Sequence, residues 1–225
     1  MNEKLKLIYE NYWDKYNKNA EGLNQNNFIA SPLLLKVDEE KYNQSDIKIM
    51  IFGQETWGWH TFGLGIDKLM NHYEGFMNSS KPYDGYNKSA FWKAFKFFEK
   101  ELNKKYEKEN LYFIWNNISK IGQNDGATGV ANEIRNLERT YFYVVKDEVL
   151  LLKPDIVIFF TGPNRDGDIK FHFKDVTFQK AFEDKNIREI ACVQSIDLPL
   201  KSIRLYHPSY FGGFNKNRYK ALDYL

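Results

Sequence analysis

Three short apolar runs, each halting at a residue suited to turning the chain, constrain this sequence more than any other feature. Ile47-Lys48-Ile49-Met50-Ile51-Phe52 runs into Gly53, Leu111-Tyr112-Phe113-Ile114-Trp115 into Asn116-Asn117, and Ile156-Val157-Ile158-Phe159-Phe160-Thr161 into Gly162. Runs of this length are the pattern of strands buried on both faces. Between them lie helical patterns over about 66–76 and 89–106, the second with Ser89 as N-cap, and one long pattern over about 130–152 that Lys153-Pro154 ends. Weaker strands are predicted at 189–193 and 201–206, and a closing helix at 215–225. Leu5, Ile8, Tyr9, Tyr12, Trp13 and Tyr16 fall on one face of an N-terminal helix. Strands alternating with helices predict an α/β protein with a parallel sheet covered on both faces.

Composition sets the outer limits. A chain of 225 residues, 43% hydrophobic and 17% aromatic, builds a sizeable core and is far too apolar for disorder. With no repeat or Pro/Gly-rich linker, one domain over 1–225 is expected, with 1–45 as a helical N-terminal extension packed on it. No apolar run approaches a membrane span, and the start MNEKLKLIYENYW lacks the apolar stretch of a secretory signal, so a cytoplasmic, monomeric protein without a membrane partner is expected. A lone Cys192 excludes an internal disulfide framework, a four-thiolate zinc site and a cysteine-ligated cluster; no metal and no cofactor are expected. The net charge of +2 does not by itself argue for nucleic acid.

Ligands of such sheets bind beyond the carboxyl ends of the strands. The informative residues therefore follow each strand, at 53–59, 116–120, 162–165 and 207–210. The first turn offers the Glu55 carboxylate beside Trp57 and Trp59; it equally fits a plain turn with a solvated Glu. The second offers Asn117, whose amide both donates and accepts, as the edge of a base requires, although Asn is also a common turn former. In His207-Pro208-Ser209, the proline restricts His207 to extended backbone and so directs its imidazole. Over 201–220 the charges are Lys201, Arg204, Lys216, Arg218 and Lys220, with no acid among them and aromatics between. Those are ingredients for phosphate contacts and base stacking, or for a merely solvated basic face.

Taken in order, Gly53-Gln54-Glu55-Thr56-Trp57, Asn117-Ile118-Ser119-Lys120 and His207-Pro208-Ser209 resemble the motifs of the uracil-DNA glycosylase superfamily. Lys153-Pro154-Asp155-Ile156-Val157-Ile158 also resembles the segment that leads to its central Gly turn. The likeness spans roughly 46 to 225. It implies a three-layer α/β/α sandwich with a short, mainly parallel central sheet, and DNA, duplex or single-stranded, as partner. It also implies hydrolysis, without a metal, of the N-glycosidic bond of a flipped-out damaged or modified pyrimidine.

By the same resemblance Glu55 orients water and His207 stabilises the departing base, with Gln54, Trp57 and Asn117 lining the base pocket. Lys120, Ser209, Tyr210, Phe211, Lys216 and Arg218 would contact DNA, with Tyr210 or Phe211 as the wedge. Three departures stand out. Glu55 replaces a shorter Asp, Thr56 replaces Pro, and Trp57 stands where relatives carry Tyr or Gly, so uracil specificity does not carry over. Repair of deaminated bases and defence against phage DNA with bulky modified bases are both compatible. The alternatives are a binding module that kept the scaffold without the chemistry, and a hydrolase acting on a small ligand unrelated to DNA.

Overall fold

The apolar runs become the middle of the sheet. In the computed structural model, which describes residues 1–25, 28–124 and 129–225, β1 (Ile47–Gly53), β2 (Leu111–Asn117) and β3 (Ile156–Phe159) are parallel, with β1 between the other two. β6 (Lys201–Leu205) joins β3 in parallel. β5 (Ile190–Gln194) and β4 (Thr177–Lys180) extend that side antiparallel. The strand order β2-β1-β3-β6-β5-β4 makes a six-stranded, mainly parallel sheet. Flanking helices complete a three-layer α/β/α sandwich. The chain leaves β1 toward β2 on one side and returns to β3 on the other, so the order switches at β1, where a crevice opens beyond the strand ends.

The helices are α1 (Asn2–Glu21), α2 (Glu39–Gln44), α3 (Ile66–Asn78), α4 (Ala90–Lys105), α5 (Asn132–Tyr141), α6 (Val145–Leu152), α7 (Asp166–His172) and α8 (Phe211–Tyr224). α4 starts at Ser89, whose hydroxyl accepts from the Trp92 N–H at 3.5 Å, and buries Trp92, Phe95, Phe98 and Leu102. Burying an aromatic such as Phe98 contributes about 1.5–3 kcal/mol.

The long helix expected over 130–152 is two helices. At Phe142 the backbone leaves the helical region (φ −147°, ψ 54°). The break lets the Phe142 ring insert against α1, with centroids 5.0 Å from Tyr16 and 6.0 Å from Trp13. A continuous helix would forfeit that fully buried ring. The closing helix likewise begins at 211 rather than 215, because the Tyr210 carbonyl accepts from Gly213 and Phe214 at 3.1 and 2.9 Å. β4 went unforeseen because it is mostly exposed and carries no apolar run.

Among the described residues of the first 45, α-helix is confined to α1 and α2. Between them Leu33, Leu34 and Leu35 are fully buried in chain without regular secondary structure. Leu33 donates its N–H to the Lys120 carbonyl at 2.9 Å, and Ile29 and Ala30 bridge to Gln123 and Thr61. A buried polar cluster joins α1, β2 and α6. The Tyr9 hydroxyl donates to Glu148 at 2.8 Å and accepts from the Leu35 N–H at 2.8 Å. Glu148 also receives Asn116 Nδ2 at 2.9 Å and Lys120 Nζ at 2.8 Å. No helix among the described residues is long and apolar enough to cross a membrane.

Candidate active site

Strand register assembles the site. Gly53 and Asn117 are directly paired across β1 and β2. Beyond them Ile118 donates to the Gly53 carbonyl at 3.1 Å and Ser119 to the Gln54 carbonyl at 2.8 Å, which locks the two turns together. A Cβ at Gly53 would collide with Asn117 Oδ1 and come within 3.1 Å of the Phe91 ring, so this position demands glycine for close approach. Gln54 Nε2 donates to the Thr161 carbonyl at 2.6 Å, and Gly162 donates to the Leu205 carbonyl at 2.9 Å. All four strand-end turns thereby meet at one rim.

A cavity of about 650 Å³ opens there, with the turn from Gly53 to His60, Asn117 and His207 in its walls. Trp59, Phe76, Trp92 and Trp115 form an aromatic box beside it, with centroids 4.9 Å apart for Trp92–Trp115 and 5.5 Å for Trp59–Phe76. Phe91 leans on Trp115 at 6.4 Å and on Phe160 at 5.9 Å. Three lining residues carry buried polar atoms without a partner: Thr56 Oγ1, Trp59 Nε1 and Asn117 Nδ2. Buried donors and acceptors are nearly always satisfied, so these three atoms beside the cavity keep open hydrogen-bonding capacity.

Glu55 is held at two points. Its Oε2 accepts from Arg165 Nη2 at 2.6 Å and its Oε1 from the Gly129 N–H at 3.0 Å. Burial raises the Glu55 pKa above the ordinary carboxylate value, while the Arg165 charge and the Gly129 N–H oppose that rise. A carboxylate has about four acceptor directions, so two remain. Arg165 is itself fixed by Asp168 at 3.4 Å, which also binds Arg139 at 2.7 Å and Arg135.

His207 is equally constrained. Its Nδ1 lies 2.7 Å from Ser209 Oγ and accepts from the Ser209 N–H at 3.3 Å. An Nδ1 that accepts an amide proton leaves the ring proton on Nε2. Burial and the Arg165 charge push the His207 pKa down to about 4, so the ring is neutral near pH 7. The site therefore sets an anchored carboxylate and a neutral N–H donor on one aromatic cavity.

No protein-family model matches the chain, nor does any curated protein or solved structure.

Of the residues singled out in the sequence, Gln54, Glu55, Trp57, Asn117 and His207 line the cavity together. Trp57 stands 77% exposed at its mouth, and Tyr210 and Phe211 are exposed at the start of α8. Ser209 is occupied in fixing His207. Lys120 is a correction. It is fully buried and paired with Glu148, so it cannot reach a DNA phosphate.

The C-terminal basic stretch is also largely spoken for. Arg204 is buried on Asp166 at 3.0 Å, Lys220 pairs with Asp184, and Arg218 packs its guanidinium 4.4 Å over the Phe97 ring. Lys216 is exposed but lies outside the cavity lining. Sequence reading missed Arg165 as the partner of Glu55, and the aromatic walls from α3 and α4. Only their positions in turns or apolar helix faces were visible beforehand. His60, whose role the sequence leaves ambiguous, lines the cavity at φ 57° with its ring 4.0 Å from His72. Among the described residues no three His, Cys, Asp or Glu side chains converge as a metal site requires.

Proposed function

We propose that this protein is a DNA glycosylase that hydrolyses the N-glycosidic bond of a flipped-out damaged or modified pyrimidine. The observation that carries the reading is the presence of Glu55 and His207 in one aromatic-walled cavity with the Asn117 amide. In this reaction the C1′–N bond breaks with its electron pair going to the base, and water oxygen forms the new bond at C1′. Glu55, ionised beside Arg165, orients that water, takes up its proton and offsets positive charge growing on the sugar. His207 Nε2–H donates to the base oxygen on which negative charge grows. A neutral donor fits there, because its hydrogen bond strengthens as that charge develops.

Asn117 Nδ2, buried without a partner, would pair with a base carbonyl, and Phe91 would give the ring a face to stack on. A cavity of about 650 Å³ lies in the range that holds drug-sized ligands, which favours a pyrimidine carrying a bulky substituent over bare uracil.

The test is a panel of synthetic duplexes, each with one altered base, assayed for abasic sites. Release from at least one modified duplex, and its loss by about 10²–10⁴-fold in Glu55→Gln with DNA binding retained, is the expected result. Folded protein that releases no base from any duplex would overturn the reading. Activity untouched by Glu55→Gln would remove the assigned carboxylate.

A further inference from the structure

Two asparagines end β2 side by side, and their amides are used differently. Asn116 donates Nδ2–H to Glu148 at 2.9 Å, and its Oδ1 accepts from Lys120 Nζ at 2.7 Å and from the Asn117 N–H at 2.8 Å. Asn117 makes one side-chain bond, in which Oδ1 accepts from the Trp115 indole N–H at 3.2 Å. Its Nδ2 is buried without a partner, on a residue that is 1% exposed in the cavity wall.

An indole N–H can only donate, so this bond settles which way round the Asn117 amide sits. The same oxygen faces Gly53, where a Cβ would collide with it. Both contacts take the oxygen and leave the amino end with nothing to bond. Trp115 is itself held at ring and backbone. Its ring packs on Trp92 and Phe76 with centroids 4.9 and 5.1 Å away, and its carbonyl accepts from the Tyr73 hydroxyl at 2.8 Å. The indole N–H therefore has one direction.

We propose that Trp115 is a positioning residue that makes Asn117 a donor-only reader of the bound base. The role of Asn117 rests on the cavity being a base pocket. An amide free to turn over meets a donor or an acceptor equally well and discriminates little. With Oδ1 held by the indole, Asn117 can meet only an acceptor, and a base N–H placed there leaves two donors facing each other. His207 serves the oxygen at position 2, next to the breaking bond, which leaves positions 3 and 4 to Asn117. At both, a 4-oxo and a 4-amino pyrimidine are opposites: one carries a lone pair where the other carries a hydrogen. The locked amide separates the two forms at either position.

The test uses two single-stranded oligonucleotides that differ only in one target, 5-hydroxymethyluracil or 5-hydroxymethylcytosine, each on a 2′-fluoro sugar that resists hydrolysis. Wild-type affinities for the two should differ by about tenfold or more. In Trp115→Phe, which keeps a ring without the N–H, that ratio should fall toward one as the disfavoured oligonucleotide gains. A merely structural role would weaken both alike and keep the ratio. Equal affinities in wild type, or an unchanged ratio in Trp115→Phe, overturn the proposal. Should Trp115→Phe not fold, NMR of the free protein tests the contact directly. The Trp115 indole proton should move upfield in Asn117→Ala, and an unmoved resonance overturns the proposal. Base release from hydrolysable duplexes separates the two readings. Release by wild type with an unchanged ratio sinks only the role of Trp115. A ratio that collapses in the variant, with no release by wild type from any duplex, supports that role and sinks the glycosylase.

Discussion

Ser209 occupies His207 Nδ1 with both its hydroxyl and its amide, and burial holds the ring neutral down to about pH 4. The consequence is a donor that needs no protonation step. His207→Ala should slow single-turnover base release by roughly 2–4 kcal/mol of barrier, the usual size for losing one donor to a developing anion. Between about pH 6 and 8 the rate should show no inflection from this imidazole. A wild-type inflection near 6.5 that vanished in His207→Ala would refute the neutral donor. The His207-Pro208-Ser209 device was legible in the sequence because its parts are adjacent. The Arg165 clamp on Glu55 was not, because its two halves are 110 residues apart and meet only when β1 and β3 pair.

Elements contribute by register and by burial. Pairing Gly53 with Asn117 brings an amide and the Phe91 ring against a backbone that has room for neither beside a methyl group. Gly53→Ala should therefore shift Asn117 and Phe91, lower base release well beyond any loss of stability, and leave the salt dependence of DNA binding as it was. Unchanged release would show that this close approach is not needed. Lys120 belongs to the same strand-end turn, yet its charge serves the joint between β2, α6 and α1. Lys120→Met strands Glu148 as a buried carboxylate, at a cost of about 3–5 kcal/mol by urea unfolding. Loss of DNA affinity without loss of stability would return Lys120 to the surface role. The apolar strands and their halts could be read from periodicity. The break at Phe142 could not, since only the presence of α1 gives that ring somewhere to go.

For the molecule as a whole, buried histidine couples folding to pH. Burial pushes His172 down to about 4, while the unfolded chain takes up that proton near 6.5. Between those values the unfolded state binds more protons, so stability falls as pH drops through the window and is unaffected by His172 above it. Glu138, pushed up to about 8 by burial, acts in the opposite sense, losing stability as pH rises through its own window. His172→Gln isolates the first effect. Its acid-side slope should be flatter than wild type by up to about 1.4 kcal/mol per pH unit, by urea unfolding across the window. Parallel slopes would show that His172 is not titrating there.

Hydrophobic period and turn chemistry act between near neighbours, so the α/β alternation, the strand ends and the residues offered there are legible along the chain. Tertiary structure alone decided which charges stay free and which are consumed. It buried Lys120, spent two of the five C-terminal cations, Arg204 and Lys220, on distant acids and clamped Glu55. Desolvation and ion pairing depend on which remote segments the sheet order brings into contact.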